Sequence, residues 1–296
     1  MELKFLSEER LRLWRNSFLL FCKYKSFTGP FAAAGYEDYR FESKVSERGS
    51  GISKTPDIVA TSSDGHWAVL DMTLYDGEDD FSKSDQLASY LNLKHSSLSI
   101  YGMNPNAIEP DVILCRLIQD IDIIDFCQLT VDNIFKGYNL DKIQCDNLKS
   151  KLLDFQGTDL AIAPQISICL LKEMPIHEIK LGLLSIIMQL FDPSSSGISV
   201  DDICEKGLDK MAPFTSLDAK SELCGKIKVA MSDALTNANL KEYIYFDGIK
   251  YQMTDKGKNV HKYTNMRNKI ENDLSKWAKN SQPVYGTTTF SDFDQI

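Results

Sequence analysis

Apolar and polar positions follow a strand-like pattern most clearly between residues 57 and 73. Asp-Ile-Val-Ala-Thr (57–61) and His-Trp-Ala-Val-Leu-Asp-Met-Thr (66–73) are rich in β-branched, aromatic and aliphatic side chains. Between them, Ser62-Ser63-Asp64-Gly65 offers the positive φ that a hairpin turn needs. The rest of the chain is organised around this hairpin. Before it, apolar positions recur at helical spacing over 6–27, with Ser7 as the N-cap and Glu8-Glu9 in the first turn. A second helix is read over 36–48, closed by Gly49-Ser50-Gly51. After the hairpin come a helix over 81–93 and strands over 97–101 and 111–118, the latter with the continuous apolar run of a buried strand. Two helices are expected within 131–153, while 166–171 suits either a strand or a helix start.

Pro164 and Pro175 bracket a domain boundary. Beyond it, 177–191 has an apolar helical face, 192–197 reads as a loop, and Ser199 is placed to cap a helix over 200–208. A long helix is expected from Ser216 to about Leu240, then a strand, an Asp247-Gly248 turn, a strand and a further helix start. Three helices followed by a β-hairpin is the order of a winged helix-turn-helix. The stretch 271–296 is read as a helix end followed by a tail with few aliphatic residues. The expected division is therefore 1–175, 176–270 and 271–296.

At 296 residues, two domains are the natural prior. No run of about 18 apolar residues is present, and the N-terminus lacks a signal peptide's uninterrupted apolar core, so a cytoplasmic location is expected. The seven cysteines are scattered without a Cys-x-x-Cys pair, and the four histidines show no zinc spacing. They read as reduced thiols buried as small hydrophobes. No glycine-rich phosphate loop and no Gly-x-Ser-x-Gly elbow appears. The net charge of −9 argues against indiscriminate nucleic-acid binding, but residues 241–270 carry seven Lys or Arg against three Asp or Glu. With Lys226 and Lys228 on the long helix, Lys250, Lys256 and Lys258 on and after the second hairpin form a candidate phosphate-contacting set. Asp218, Glu222 and Asp233 on the same long helix favour a protein partner as the alternative.

The candidate chemistry lies in the first hairpin. Asp57 opens one strand and Asp71 stands near the end of the next, and two such acids at a sheet edge suit a divalent metal ion. His66, on the same hairpin, reads as a surface strand histidine with a lesser case for assisting catalysis.

Pro56-Asp57, the hairpin, and then Asp71-Met72-Thr73 resemble the PD-(D/E)XK motif of restriction-endonuclease-like nucleases. Ser84 to Leu91 is similar to the Gln-Leu-x-x-Tyr helix that often packs behind the active site in that family, which brings in Gln86. The resemblance covers about residues 36–117. It implies an α/β fold with a mixed sheet flanked by helices, with Mg²⁺ or Mn²⁺ on Asp57 and Asp71 and on a first-helix glutamate. Glu42 or Glu47 would fill that last role, Glu42 lying deeper in the expected helix. The motif's lysine is replaced by Thr73, so Lys83 or Lys54 would have to supply the missing charge. Residues 226–257 resemble the winged-helix half of Mrr-type restriction proteins. The two resemblances imply a metal-dependent endonuclease acting on double-stranded DNA, in a restriction, phage-defence or mobile-element setting. The alternative they leave open is a catalytically silent nuclease fold acting as a nucleic-acid-binding or assembly subunit. A homodimer, or a protein partner held through the winged helix or the tail, is compatible with either.

Overall fold

A computed structural model of the chain describes residues 2–74, 80–117, 125–162 and 166–280, and only the backbone of residues 2–7, 80–82 and 162. The acidic stretch 76–79, Pro164 and the tail from 281 onward therefore lie outside the described residues. The chain is α/β and divides into two compact units, Met1–Lys172 with Cys204–Cys224, and Glu173–Ile203 with Gly225–Ile296. The sequence reads 176–270 as one continuous block, whereas the structure interleaves the two units within that span.

The first unit begins with α1 (Glu2–Leu19), the β1–β2 hairpin (Lys23–Tyr24, Phe27–Thr28) and the short helix α2 (Pro30–Ala33). Helix α1 thus starts before Ser7, which is no cap, and ends well before residue 27. Gly29 belongs to the link between β2 and α2. A Cβ there would sit 2.2 Å from the Leu20 carbonyl oxygen, closer than a side chain can come to backbone. Next come β3 (Tyr36–Phe41) and β4 (Val45–Ser46), where the sequence suggested a single helix over 36–48, and then β5 (Ser53–Lys54). Tertiary burial overrides the local helical preference, because Tyr36, Tyr39 and Phe41 are all enclosed.

The central hairpin is formed as expected by β6 (Ile58–Ser62) and β7 (Trp67–Thr73), antiparallel with Ile58 opposite Leu70 and Thr61 opposite Trp67. Gly65 carries the turn with φ 83°. Helix α3 (Asp80–Tyr90) follows, then β8 (Asp111–Arg116), β9 (Cys127–Val131), β10 (Phe135–Tyr138) and α4 (Asp146–Asp154). Two expectations fail here. Residues 95–101 form a 3₁₀ segment and not a strand, and the first half of 131–153 completes β9 and forms β10, leaving a helix only from Asp146. No regular element covers 166–171.

Six strands form one mixed sheet in the order β10-β9-β8-β7-β6-β3. The pairs β7–β8 and β8–β9 are parallel and the others antiparallel. Both faces are covered. On one face Val59, Trp67, Val69, Val112 and Leu114 pack with Leu87 and Tyr90 of α3 and with Leu93, Leu98 and Phe126. Around the edge strand β3, Phe18 from the α1 side meets Tyr39 and Phe41 with ring centroids 6.3 and 5.8 Å away.

The second unit contains α5 (Ile176–Gln189), β11 (Ile198–Ser199), β12 (Ile244–Phe246), β13 (Lys250–Met253) and α8 (Thr264–Asn280). The helices α6 (Val200–Leu208) and α7 (Leu217–Asn237) each belong partly to it, because the division falls inside them. Its small sheet has the order β11-β13-β12, all antiparallel. Ser199 caps α6 as its spacing predicts. Its Oγ accepts the Asp202 N–H at 3.0 Å, and the Asp202 carboxylate accepts the Ser199 N–H at 2.9 Å.

Asp233 of α7 ties this unit together. It accepts hydrogen bonds from the Lys180 ammonium of α5, from the Trp277 indole of α8 at 2.7 Å and from the Asn237 amide. Lys180 foremost holds the Asp233 carboxyl below its ordinary value of 3.8; burial opposes it, and Trp277 and Asn237 add to the lowering. A folded value below the unfolded one adds stability that is complete above about pH 4 and is lost as pH falls through the lowered value. Asp233→Asn is therefore expected to cost about 1–2 kcal/mol at neutral pH and to flatten the acid limb of the unfolding curve below about pH 4. Urea denaturation at neutral and acid pH checks this, and an unchanged acid limb in the variant would count against it.

All seven cysteines are free thiols and five are buried. Burial pushes Cys22 and Cys169 up to about 11, so both stay protonated at neutral pH. Among the described residues, no helix is long and apolar enough to cross a membrane.

Candidate active site

The antiparallel registers place three acids in one row at the open end of the central strands. One step beyond the Ile58–Leu70 pair, Asp57 faces Asp71. One step beyond the Phe41–Ile58 pair, Glu42 faces Asp57, and the Glu42 N–H donates to the Asp57 carbonyl at 2.9 Å. Directly opposite residues share a sheet face. Asp57 and Asp71 therefore share the face of Val59 and Val69, which α3 covers. This spacing is set by the hairpin register alone, and a one-residue slip would move both acids to the other face.

Asp71 is 3% exposed, an unusual position for a carboxylate. Its two oxygens are engaged from α3. The Lys83 ammonium forms an ion pair with Oδ2, and the Tyr90 hydroxyl donates to Oδ1 at 3.4 Å. Gln86 stands behind this pair, its amide donating to the Tyr90 hydroxyl at 2.8 Å and its Oε1 accepting from Lys83 at 3.4 Å. Burial first, then the neighbouring Asp71 carboxylate, pushes the Tyr90 phenol far up, so it remains a donor. Asp57 is half-buried and its Oδ2 accepts the Met72 N–H at 2.6 Å, which fixes the carboxylate against the strand that carries Asp71.

Glu42 is reached by a different route than its sequence context suggests. It follows strand β3 instead of lying inside a helix. It adopts a left-handed backbone with φ 52°, a conformation that costs a non-glycine residue about 1–2 kcal/mol. The neighbours hold it there, since its carbonyl accepts from Ser216 Oγ at 2.8 Å and the Ser216 N–H donates to the Phe41 carbonyl at 3.1 Å. Its carboxylate is 2.7 Å from the Lys172 ammonium and the residue is buried. Glu47 is elsewhere, accepting from Ser50 Oγ at 3.1 Å beside the β4–β5 turn.

Of the two lysines proposed to replace the one missing at Thr73, the structure pairs Lys83 with Asp71, while Lys54 ends the short strand β5. Thr73 ends β7 and pairs in register with Arg116 of β8, a buried residue on the same sheet face. His66 is next to the hairpin turn, five residues from Asp71 and so about 16 Å along the strand. It lies near Asp111, whose carboxyl is raised by burial against the backbone N–H groups of Gln144 and Cys145 and a lesser effect of His66. His66 is thereby removed from the row of acids. Among the described residues, no group of three or more Asp, Glu, His or Cys side chains is close enough to cage a metal ion. Two carboxylates from adjacent strands remain as hard oxygen donors suited to a divalent cation, while Glu42 is directed to Lys172.

Lys172 and Arg116 were not singled out from the sequence. Lys172 lies outside any regular element and far along the chain from Glu42, so no local signal marks it. Arg116 lies inside the run 111–118 that reads as a buried apolar strand, so nothing in the sequence marks it as a site residue.

The basic residues of the second unit are dispersed by their partners. Lys226 donates to the Met174 carbonyl at 3.2 Å, Lys256 pairs with Glu242 and lies over the Tyr243 ring, and Lys258 is 3.1 Å from Asp255. Lys228 lines an open groove along α7 with Val229, Ser232 and Thr236, and Lys250 opens β13. These exposed pairs are individually weak and leave the lysines available to a stronger anion.

The fold and the acid row define an α/β protein with a mixed six-stranded sheet whose polar site lies at the strand ends. No protein family model, no curated protein and no solved structure matches the chain.

Proposed function

We propose that this chain is a metal-dependent nuclease of the restriction-endonuclease-like class, acting on DNA through a second, winged-helix unit. The observation that carries the reading is the row Glu42–Asp57–Asp71 at the open end of the central hairpin, with Lys83 brought to Asp71 from α3. A divalent cation, Mg²⁺ or Mn²⁺, held by Asp57 and Asp71 would polarise the scissile phosphodiester and acidify an attacking water. Lys83 supplies the fixed positive charge that Thr73 lacks, next to the acids and on a rigid helix. Tyr90 and Gln86 orient Asp71 and Lys83, which restricts both groups to one geometry. Asp57 is fixed by the Met72 N–H, so neither acid has to be ordered when substrate arrives.

The winged-helix part rests on element order. Helix α5, β11, α6, α7, β12 and β13 follow one another, and β11 joins β13 to make a three-stranded wing sheet. In this reading α7 is the helix presented to the major groove, with Lys228 beside Ser232 and Thr236, and Lys250, Lys256 and Lys258 of the wing region meet phosphates. The restriction, defence or mobile-element setting, and the cytoplasmic location, belong to the same proposal.

A second reading is favoured by a specific feature: Asp71 and Glu42 are both neutralised by lysines. A silent nuclease fold used for binding or assembly would keep such pairs permanently. Incubating the wild-type chain with plasmid and single-stranded DNA, with Mg²⁺, Mn²⁺ or chelator, separates the two. Metal-dependent cleavage is expected, and DNA binding without cleavage in either metal would favour the silent fold.

A further inference from the structure

We infer that Lys172 is a positioning residue that withholds Glu42 from the cation site until a phosphate anion takes the ammonium over. This rests on the nuclease reading. Three acids share one row across β3, β6 and β7, yet only Asp57 and Asp71 remain as a pair of donors, because the Glu42 carboxylate is held 2.7 Å from Lys172 Nζ. Glu42 is held on both sides by its backbone. Its N–H is bound to the Asp57 carbonyl, its carbonyl to Ser216, and its backbone is left-handed. Only the side-chain torsions are left to move, and the ammonium decides where they settle.

The charges around the row support an exchange. Of the three carboxylates in the row, Asp71 is answered by Lys83 and Glu42 by Lys172, with the Arg116 guanidinium buried on the same sheet face. Lys44, a further cation, is paired with Asp218 at 2.9 Å and lies close enough to Lys172 to repel it. A row of carboxylates attracts a divalent cation and disfavours a phosphodiester, and a bound cation would add positive charge that favours the phosphate. The arriving phosphate then competes with Glu42 for Lys172, and the released carboxylate can join the cation as a third oxygen donor. Metal and phosphate binding are thus coupled through one lysine.

The test is Mn²⁺ binding by calorimetry to the full chain, with folding followed by circular dichroism. For Lys172→Met, Mn²⁺ affinity is expected to rise about tenfold through loss of a nearby positive charge and release of Glu42, while cleavage falls. In the double variant Glu42→Gln/Lys172→Met that gain is expected to disappear. Lys172→Arg is expected to keep wild-type affinity. A merely structural lysine would give the opposite sign, since loosening the site weakens metal binding. If Lys172→Met is poorly folded, Lys172→Gln replaces it with the same expectation. Mn²⁺ uptake by wild type with equal or weaker uptake by folded Lys172→Met and Lys172→Gln would overturn the role of Lys172 alone. Absence of uptake by all of them would overturn the nuclease reading and this inference with it.

Discussion

Asp71→Asn is expected to lower metal-dependent cleavage by about 10²–10³-fold while leaving the fold intact. Asparagine has the same shape and keeps an acceptor for the Tyr90 hydroxyl, so the packing behind α3 is conserved. What it loses is the charge that pairs with Lys83 and that would face the cation. The lysine is then partly buried, 18% exposed, without its counter-charge, so a moderate loss of stability accompanies the loss of rate. Lys83→Met separates the roles, since it leaves both acids in place and removes only the positive charge. Its cleavage rate is expected to fall to a similar extent, with Mn²⁺ binding retained or strengthened by loss of the positive charge beside Asp71. Rates measured on a plasmid substrate under single-turnover conditions decide the matter, and wild-type rates in both variants would show that the acid row is not catalytic.

The largest loss of stability is expected at Trp67. This side chain is 1% exposed and sits in the cluster that joins the sheet to α3, beside Val59, Val69 and Leu87. Trp67→Ala should cost about 3–5 kcal/mol, from lost burial and from a cavity that a sheet covered on both faces cannot close. Trp67→Phe should cost much less. Trp67 is also four residues before Asp71 on the same strand face, so slackening there reaches the acids. Urea midpoints for the three proteins at unchanged m-values provide the measurement, and a loss below about 1 kcal/mol for the alanine variant would show that the cluster repacks.

The hairpin was legible because its determinants are local. β-Branched runs on both sides of Asp64-Gly65 leave few alternatives, and they place Asp57 and Asp71 without any distant contact. Helix α3, the capping of α6 and the Asp247-Gly248 hairpin were readable for the same reason. The strands β3, β9 and β10 were not. In β3 the buried positions are Tyr36, Tyr39 and Phe41, and an irregularity between Tyr36 and Asp38 shifts the alternation by one residue, which hides the period of two among charged residues. In β9 all of Cys127 to Val131 is buried, because parallel pairing places it inside the sheet, so no alternation exists to be read. Residues 97–101 alternate like a strand, yet Ile100 is 80% exposed and the segment turns as a 3₁₀ helix instead.

The sequence by itself determined the two acids of the central hairpin, the α/β class and the helix α3 that follows, because short-range propensity and turn chemistry suffice for these. Only the tertiary structure decided that Glu42 follows a strand, that Lys83 and not Lys54 meets Asp71, and that Lys172 holds Glu42. The first is set by the pairing and burial of β3 in the sheet and the other two are pairings of charges between separate segments, and none of the three is written in the local pattern of the chain.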